Sequence, residues 1–501
     1  MKHLLLENAI MELQQNLVRR WYPAVKHGPP VLAPEGPLEG KRLHIWSPPL
    51  PAEDGSGWRM WYIGGEELHA LYATSEDGLH WQRPKLGLVE HEGSRDNNLV
   101  DLGFDAGRKE RRLVLCRADD CDAQEPHRAL TRVGGRLRPM SSRDGLTWRL
   151  HDDLPGIPSD DEYRLGYDPV TRRLVATAKL GGRHGRAAYA VPEYGRAVAV
   201  STSTDGLDWS EPEVVFHADF RDRRAGEDGV ALHLEDDSLL SPIFVDPEHS
   251  WTDVYNMPVF RYENLVMALP VMFHQCGLWQ YPGRPNEHNQ DGLLWPSLAW
   301  SRDLREWSRP HRREAFIPLS PCNDKAIYDN GAIHACAPVR RGDEMWFYYY
   351  GSRFSHVSMA LLEEIGLADG DRPLGAIFLA KLRLDGFASL EAGDEPGMIL
   401  TRPVDVDGAK LRINARTMGG EIRAEIRDAQ TGRAIPGFSM GDAVHPRTVQ
   451  FGDGLVQPRA RGWGARFDDD PAEDDSVPFS GDSVCAPIRW KGGDDVSALR
   501  G

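Results

Sequence analysis

The chain has 501 residues, 41% hydrophobic and 27% charged, and its 59 Lys+Arg against 76 Asp+Glu give a formal charge of −17. That length leaves room for two or three domains, and the acidic balance argues against nucleic acid, whose phosphates call for a basic face. Fifteen Trp and 50 Gly, with Pro punctuation and few helical periods, point to an all-β chain.

Residues 1–38 read as a lead-in. Met1-Lys2-His3-Leu4-Leu5-Leu6-Glu7 has too short an apolar run for a signal peptide, and no run reaches the ~18 residues of a membrane span. A cytoplasmic location without membrane attachment is therefore expected. Asn8 to Arg20 fits either a short helix or a strand, and a Pro-rich approach, Pro29-Pro30 to Pro37, follows.

Residues 39–395 are organised by a repeated phrase. Ser75-Glu76-Asp77-Gly78-Leu79-His80-Trp81 returns as Ser142 to Trp148 and as Ser203 to Trp209. Ser301 to Trp307 keeps Ser, Asp and Trp at the same offsets, and Asp385-Gly386-Phe387 is a worn fifth copy. The phrase suits a hairpin: Ser and Asp hydrogen-bond nearby backbone, Gly accepts positive φ, and Trp returns to the sheet. Its Asp residues fall 67, 61, 98 and 82 residues apart, longer than the ~40–50 residues of compact propeller repeats, so each unit carries long loops. Five units of about four strands predict a five-bladed β-propeller. Asp77, Asp144, Asp205 and Asp303 belong to its outer hairpins and are excluded from catalysis.

After Gly393-Asp394-Glu395-Pro396-Gly397 the repeats stop. Residues 396–501 alternate apolar and polar positions, as in Leu411-Arg412-Ile413-Asn414-Ala415, and predict a small β-sandwich. Gly, Pro and Asp crowd residues 441–482, which read as a disordered insertion. Cys116, Cys121, Cys276, Cys322, Cys336 and Cys485 make no CxxC pair and read as mostly buried thiols rather than a zinc site. No metal or cofactor is expected, and the oligomeric state is left open.

Several stretches carry a resemblance. They include Pro23-Ala24-Val25-Lys26-His27, Met60-Trp61-Tyr62, Asp96-Asn97-Asn98-Leu99-Val100, Tyr255-Asn256-Met257-Pro258 and Ile435-Pro436-Gly437-Phe438-Ser439. Together they resemble five-bladed propeller proteins similar to the N-terminal domain of glycoside hydrolase family 32, and more distantly family 43. The resemblance implies a carbohydrate substrate. The chain departs from that pattern at Asp105 to Leu115, at the insertion, and at Leu499-Arg500-Gly501, where similar proteins add one or two strands; an incomplete sandwich is expected.

In a propeller the first strand of each blade lines the central channel, where acidic residues from different blades converge. Glycoside cleavage needs such a pair: a carboxylic acid to protonate the leaving oxygen and a carboxylate as nucleophile or base. One acidic position precedes the first strand of each unit: Glu39, Asp96, Asp161 with Glu162, Asp253 and Asp329. Each has a structural alternative as a capped turn or solvated loop. Families 32 and 43 place their acids on the first three blades, which by resemblance favours Glu39, Asp96 and Glu162. Glu39 or Asp96 is expected as nucleophile or base and Glu162 as general acid, with Asp253 or Asp329 holding sugar hydroxyls.

Arg164, His249, Trp251, Tyr255, Arg261, His274 and Trp279 are candidate sugar contacts, since aromatic faces stack on sugar CH groups and Arg reads hydroxyls. Inter-blade packing is the alternative for the aromatics. His334 and His356 are placed near the channel to hold an ion or water. Three readings stay open: a glycosidase, a non-catalytic carbohydrate-binding propeller, and a sugar phosphorylase, which needs a basic phosphate pocket.

Overall fold

A computed structural model describes residues 2–65, 67–104, 112–181, 195–281, 288–367, 372–440 and 474–499. It forms two compact units, Pro23–Leu382 and the pairing of Met1–Tyr22 with Arg383–Gly501. The division thus falls at 22/23 and 382/383 rather than at 38/39 and 395/396.

In the larger unit four antiparallel sheets of blade size stand apart. The first joins Leu43–His44, Leu50–Pro51, Trp58–Gly64 and His69–Ser75. The second joins Val114–Arg117, His127–Val133, Arg136–Ser142 and Arg149–Leu150, with Ile157–Pro158 on its flank. The third runs in sequence order through Tyr163–Asp168, Arg173–Leu180, Ala197–Ser203 and Glu213–Phe216. The fourth joins Val259–Tyr262, Leu265–Ala268, Ala299–Ser301 and Trp307–Ser308.

Five separate blades were expected, and the structure has four. The strands expected as the fifth belong to an eight-stranded sheet that also contains Trp251–Asn256, Val271–Gln280 and His288–Pro296. Val271–Gln280 and His288–Pro296 are ten and nine residues long. They overrun the blade, and His288–Pro296 meets Ala332–Ala335 through a parallel bridge, Leu294 to Ala332.

The sheet faces nonetheless pack in a ring. Trp61, Tyr72, Leu115 and Trp148 join the first sheet to the second. Trp46, Val114, Tyr163 and Leu165 join the second to the third, and Val175, Val200, Val259 and Val266 the third to the fourth. The ring closes where Met60 and Tyr62 meet Trp346, Tyr348 and Ile377. Val25–Lys26 completes the closure by pairing with Ala380–Lys381. Lys26 Nζ lies 2.6 Å from Asp329 Oδ2, to which Tyr349 also donates at 2.7 Å.

The repeated phrase forms the same turn each time. Gly78 N–H donates to Ser75 Oγ (2.8 Å), and Leu79 and His80 N–H donate to Asp77 Oδ1 (2.8 and 2.9 Å). Trp81 Nε1 returns to Gly78 O. The pattern recurs at Ser142–Trp148 and Ser203–Trp209. Gly78, Gly145 and Gly206 have φ of +74°, +78° and +78°, and in the fourth copy Leu304 takes +67°.

Three of the turns also clasp a neighbouring sheet. Trp61 Nε1 donates to Gly145 O at 2.7 Å, Arg128 Nε to Asp205 O at 2.8 Å, and Tyr348 OH to Gly78 O at 2.7 Å. The phrase thus sets blade contacts as well as ending hairpins.

Helix Phe220–Glu235 interrupts the long interval before the fourth copy, begun by an Asp219–Asp222 capping box. Its two glycines look like helix breakers, yet they permit close packing. A Cβ on Gly226 would fall on His274, and one on Gly229 would stand 2.7 Å from Trp295.

The smaller unit consists of two-stranded pairs: Met11–Gln15 with Met398–Thr401, Val18–Trp21 with Ala388–Glu391, Arg412–Arg416 with Asp482–Pro487, and Ser476–Val477 with Arg489–Trp490. Its core is Ile488, Trp490 and Val496, with Ile413, Ile426 and Phe438 packed around them. The described residues do not make the expected sandwich, although Met11–Gln15 and Val18–Trp21 are strands. Of the expected insertion, 441–473 lies outside the described residues, whereas Ser476–Val477 is a paired strand. Cys116, Cys276 and Cys336 are buried, Cys121 is half-buried, and Cys322 and Cys485 are exposed.

Candidate active site

The first strands of the repeats converge on one cluster of side chains. Tyr163–Asp168 is preceded by Glu162 and carries Arg164, whose Nη1 donates to Glu162 Oε2 at 3.0 Å. Trp251–Asn256 brings Asn256, whose Nδ2 donates to the same oxygen at 3.1 Å and lies 3.0 Å from His334 Nδ1 on Ala332–Ala335. A register shift between Val254 and Asn256 interrupts strict alternation there, and both Tyr255 and its neighbour Asn256 reach the cluster. The Tyr255 ring stands edge-on to His334 at 5.3 Å, and its hydroxyl meets His356 Nε2 at 2.9 Å.

The other repeats complete the cluster. The Arg164 and Arg112 guanidinium groups stack on the Trp46 ring at 4.8 and 5.0 Å, and His44 packs against Tyr350 at 4.0 Å. Lys179 Nζ lies 4.2 Å over the Tyr255 ring and pairs with Asp161. Arg196 Nη1 donates to Asp253 Oδ2 at 2.8 Å, and its Nη2 donates to Gln290.

Burial divides the carboxyls. Glu162 is 7% exposed. Burial pushes its pKa above the ordinary carboxylate value, with Arg164 only partly opposing it. Among the described residues its Oε1 makes no hydrogen bond, Oε2 taking both contacts. Neighbouring Asp161 is exposed, its side chain 52% accessible, and what desolvation it suffers is outweighed by Lys179 and Arg112, which hold it well below the usual range. The imidazoles are kept neutral near pH 7: burial with Arg196 lowers His356 to about 4, and burial with Arg164 drives His334 well down.

Of the expected residues, Glu162, Asp161, Arg164, Asp253 and Tyr255 come together here. Asp253 reaches the cluster through Arg196 and also accepts from Trp251 Nε1 at 2.9 Å. Asp329, expected beside them, is instead buried in the ring closure, as described above.

Glu39 and Asp96 do not join. Glu39 is buried on the short helix Gly36–Glu39, where Arg83 grips it through Nε (2.7 Å) and Nη2 (3.0 Å) while Tyr62 OH and Glu35 N–H also donate. With its oxygens saturated it serves as a structural anchor. Asp96 sits in a solvent loop, its side chain 71% exposed and 2.6 Å from Lys85 Nζ.

Four expected sugar contacts are likewise elsewhere. Arg261 is committed to Asp168 through a two-pronged ion pair between strands. His274 is buried beneath helix Phe220–Glu235, against Trp295 at 4.0 Å. Trp279 stacks on Phe244 at 4.6 Å, and the Pro282–Glu287 stretch beyond it lies outside the described residues. His249 pairs with Asp246 at 2.6 Å.

The reading of the sequence missed His44, Trp46, Arg112, Lys179, Arg196, Asn256 and Gln290. Lys179 had a signal: it is one lysine in the apolar run Leu174 to Leu180, and it is 5% exposed. Asn256 had none, because its direction depends on the bulge.

No family model matches the chain, and no curated protein does. Solved structures resemble it weakly. A glycosyl hydrolase from Bacteroides ovatus is 12% identical, with 75% of this chain and 99% of that one covered at a TM-score of 0.39. A structure described as belonging to the GH130 family of mannoside phosphorylases, which contains glycoside hydrolases, is 12% identical, covering 77% and 100% at 0.38. A fructofuranosidase from Schwanniomyces occidentalis is 11% identical, covering 81% and 68% at 0.35. These neighbours process carbohydrates by several chemistries, and family 32 is not singled out among them. At such scores they assign no activity to this chain.

Proposed function

We propose that this chain cleaves the glycosidic bond of a small glycoside or oligosaccharide, with Glu162 as general acid. One observation carries the reading: a buried carboxyl of raised pKa stands where the first strands of the repeats converge, beside a second carboxyl held ionised. Environments that push two neighbouring carboxyls apart are the usual basis of an acid and base division of labour.

Glu162 Oε1 carries the proton to the leaving oxygen, while Arg164 and Asn256 fix Oε2. Asp161, kept anionic by Lys179, takes the complementary role as nucleophile or as base on water. Gln290 and Asn256 supply amides for the hydroxyls of a sugar. Hydrolysis of aryl glycosides and fructosides by wild type and Glu162→Gln tests the assignment. Binding across the panel without turnover would instead favour a non-catalytic carbohydrate-binding propeller.

A further inference from the structure

The cluster contains more cationic capacity than its own carboxylates use. Lys179 is paired with Asp161 and Arg196 with Asp253. Arg164 has only Glu162, reached through Nη1, together with the Tyr163 carbonyl at 2.7 Å. Its side chain is 2% exposed, and neither Nε nor Nη2 has a hydrogen-bond partner among the described residues. Stacking on Trp46 occupies a face of the guanidinium and leaves its in-plane N–H groups to be satisfied. An unmet buried donor on a charged group is costly.

Nε and Nη2 together form the side-on fork of an arginine, which matches two oxygens of one oxyanion. The same chain shows what that fork does elsewhere. Through Nε and Nη2, Arg83 grips the Glu39 carboxylate and Arg261 grips the Asp168 carboxylate. The fork of Arg164 is as deeply buried as either and, among the described residues, has no carboxylate in it.

We propose that the Arg164 fork is an oxyanion site, which takes either inorganic phosphate or the carboxylate of an acidic sugar. Arg112 stacks beside it on Trp46 and adds positive charge. This deepens the glycoside reading and rests on it for the role of the anion in turnover. If the anion is phosphate, a phosphate oxygen forms the new bond to the anomeric carbon as the glycosidic C–O bond breaks. The Glu162 proton goes to the leaving oxygen, and the sugar leaves as its 1-phosphate. If the anion is a sugar carboxylate, the fork selects acidic glycosides and water attacks.

The test is calorimetric titration of the full chain with potassium phosphate and with sodium glucuronate, against potassium chloride at matched ionic strength. One of the two is expected to bind at one site per chain. Arg164→Gln, and Arg164→Lys, which keeps the charge but loses the fork, should weaken it by at least about tenfold. Glu162→Gln should bind it about as tightly, since a neutral amide replaces a protonated carboxyl and still offers an oxygen to Arg164 Nη1. Phosphate binding with release of sugar 1-phosphate identifies the first source, and glucuronate binding with preference for acidic glycosides the second.

Wild type that distinguishes neither anion from chloride would overturn the proposal, whatever the variants do. So would a folded Arg164→Lys chain that binds like wild type. A chain that binds the anion but cleaves no glycoside would overturn the glycosidase reading and leave the oxyanion site standing.

Discussion

Replacing Gly145 by Ala tests the clasp between sheets. Gly145 sits at φ +78°, where a side chain costs about 1 kcal/mol. An added Cβ would stand 2.6 Å from Trp61 Cζ2 and 3.3 Å from His127 Cδ2. Trp61 is 3% exposed and packed on every side, so it can yield only by lengthening its 2.7 Å hydrogen bond to Gly145 O. A buried N–H left unpaired costs about 1–3 kcal/mol. The total loss expected for Gly145→Ala is about 2–4 kcal/mol. At Gly206 the backbone strain is the same, φ +78°, but the obstacle is the Arg128 stem, at 2.7 Å from the added Cβ. The Arg128 stem can shift about its own torsions while its Nε keeps the 2.8 Å bond to Asp205 O, which a rigid indole cannot do, so Gly206→Ala should cost only about 1–2 kcal/mol. Urea denaturation midpoints of both variants read the difference. Equal losses, or a larger loss at Gly206, would refute the idea that the indole clasp sets the cost.

Glu39→Gln should lower stability by about 2 kcal/mol, discounted because Arg83 retains Glu35 at 3.2 Å, and should leave kcat/KM of the folded enzyme unchanged. Asp96→Asn should change neither stability nor kcat/KM measurably, its partner Lys85 being solvent-exposed. His274, lowered to about 3 by burial and by Arg309, binds its proton less readily folded than unfolded. Stability is therefore full above its ordinary value and falls with pH toward 3, at about 1.4 kcal/mol per unit; melting curves from pH 7 to 4 should show a shallower fall in His274→Gln. The alkaline limb of kcat/KM should lie above the ordinary carboxylate range, because Glu162 acts protonated. Asn256→Leu, which removes a donor to the carboxylate, should move that limb to higher pH in rate profiles.

The ring of sheets was legible because its turn chemistry is local. Ser, Asp, Gly and Trp at fixed offsets make the same hydrogen bonds wherever they recur. The number of separate blades was not legible, because it depends on how far two strands overrun their sheet, and a single bridge at Leu294 decides it. The position of Glu162 was read from its place before a first strand, and that logic also selected Arg164 and Tyr255. It failed for Glu39 and Asp96. A carboxylate before a first strand can turn to the channel, to a buried arginine or to solvent, and the residue that decides is distant in sequence: Arg83 in one case, Lys85 in the other. Helix Phe220–Glu235 was missed for a related reason, since Gly226 and Gly229 lower intrinsic helix propensity to let the helix approach His274 and Trp295.

The most direct test of Glu162 as general acid varies the leaving group. A proton donor matters most when the departing alkoxide is poor and least when it is already stable. Glu162→Gln should lose about 10²–10⁴-fold in kcat/KM on alkyl glycosides, and far less on dinitrophenyl glycosides of the same sugar. A uniform loss across leaving groups, or turnover equal to wild type on all of them, would contradict the assignment.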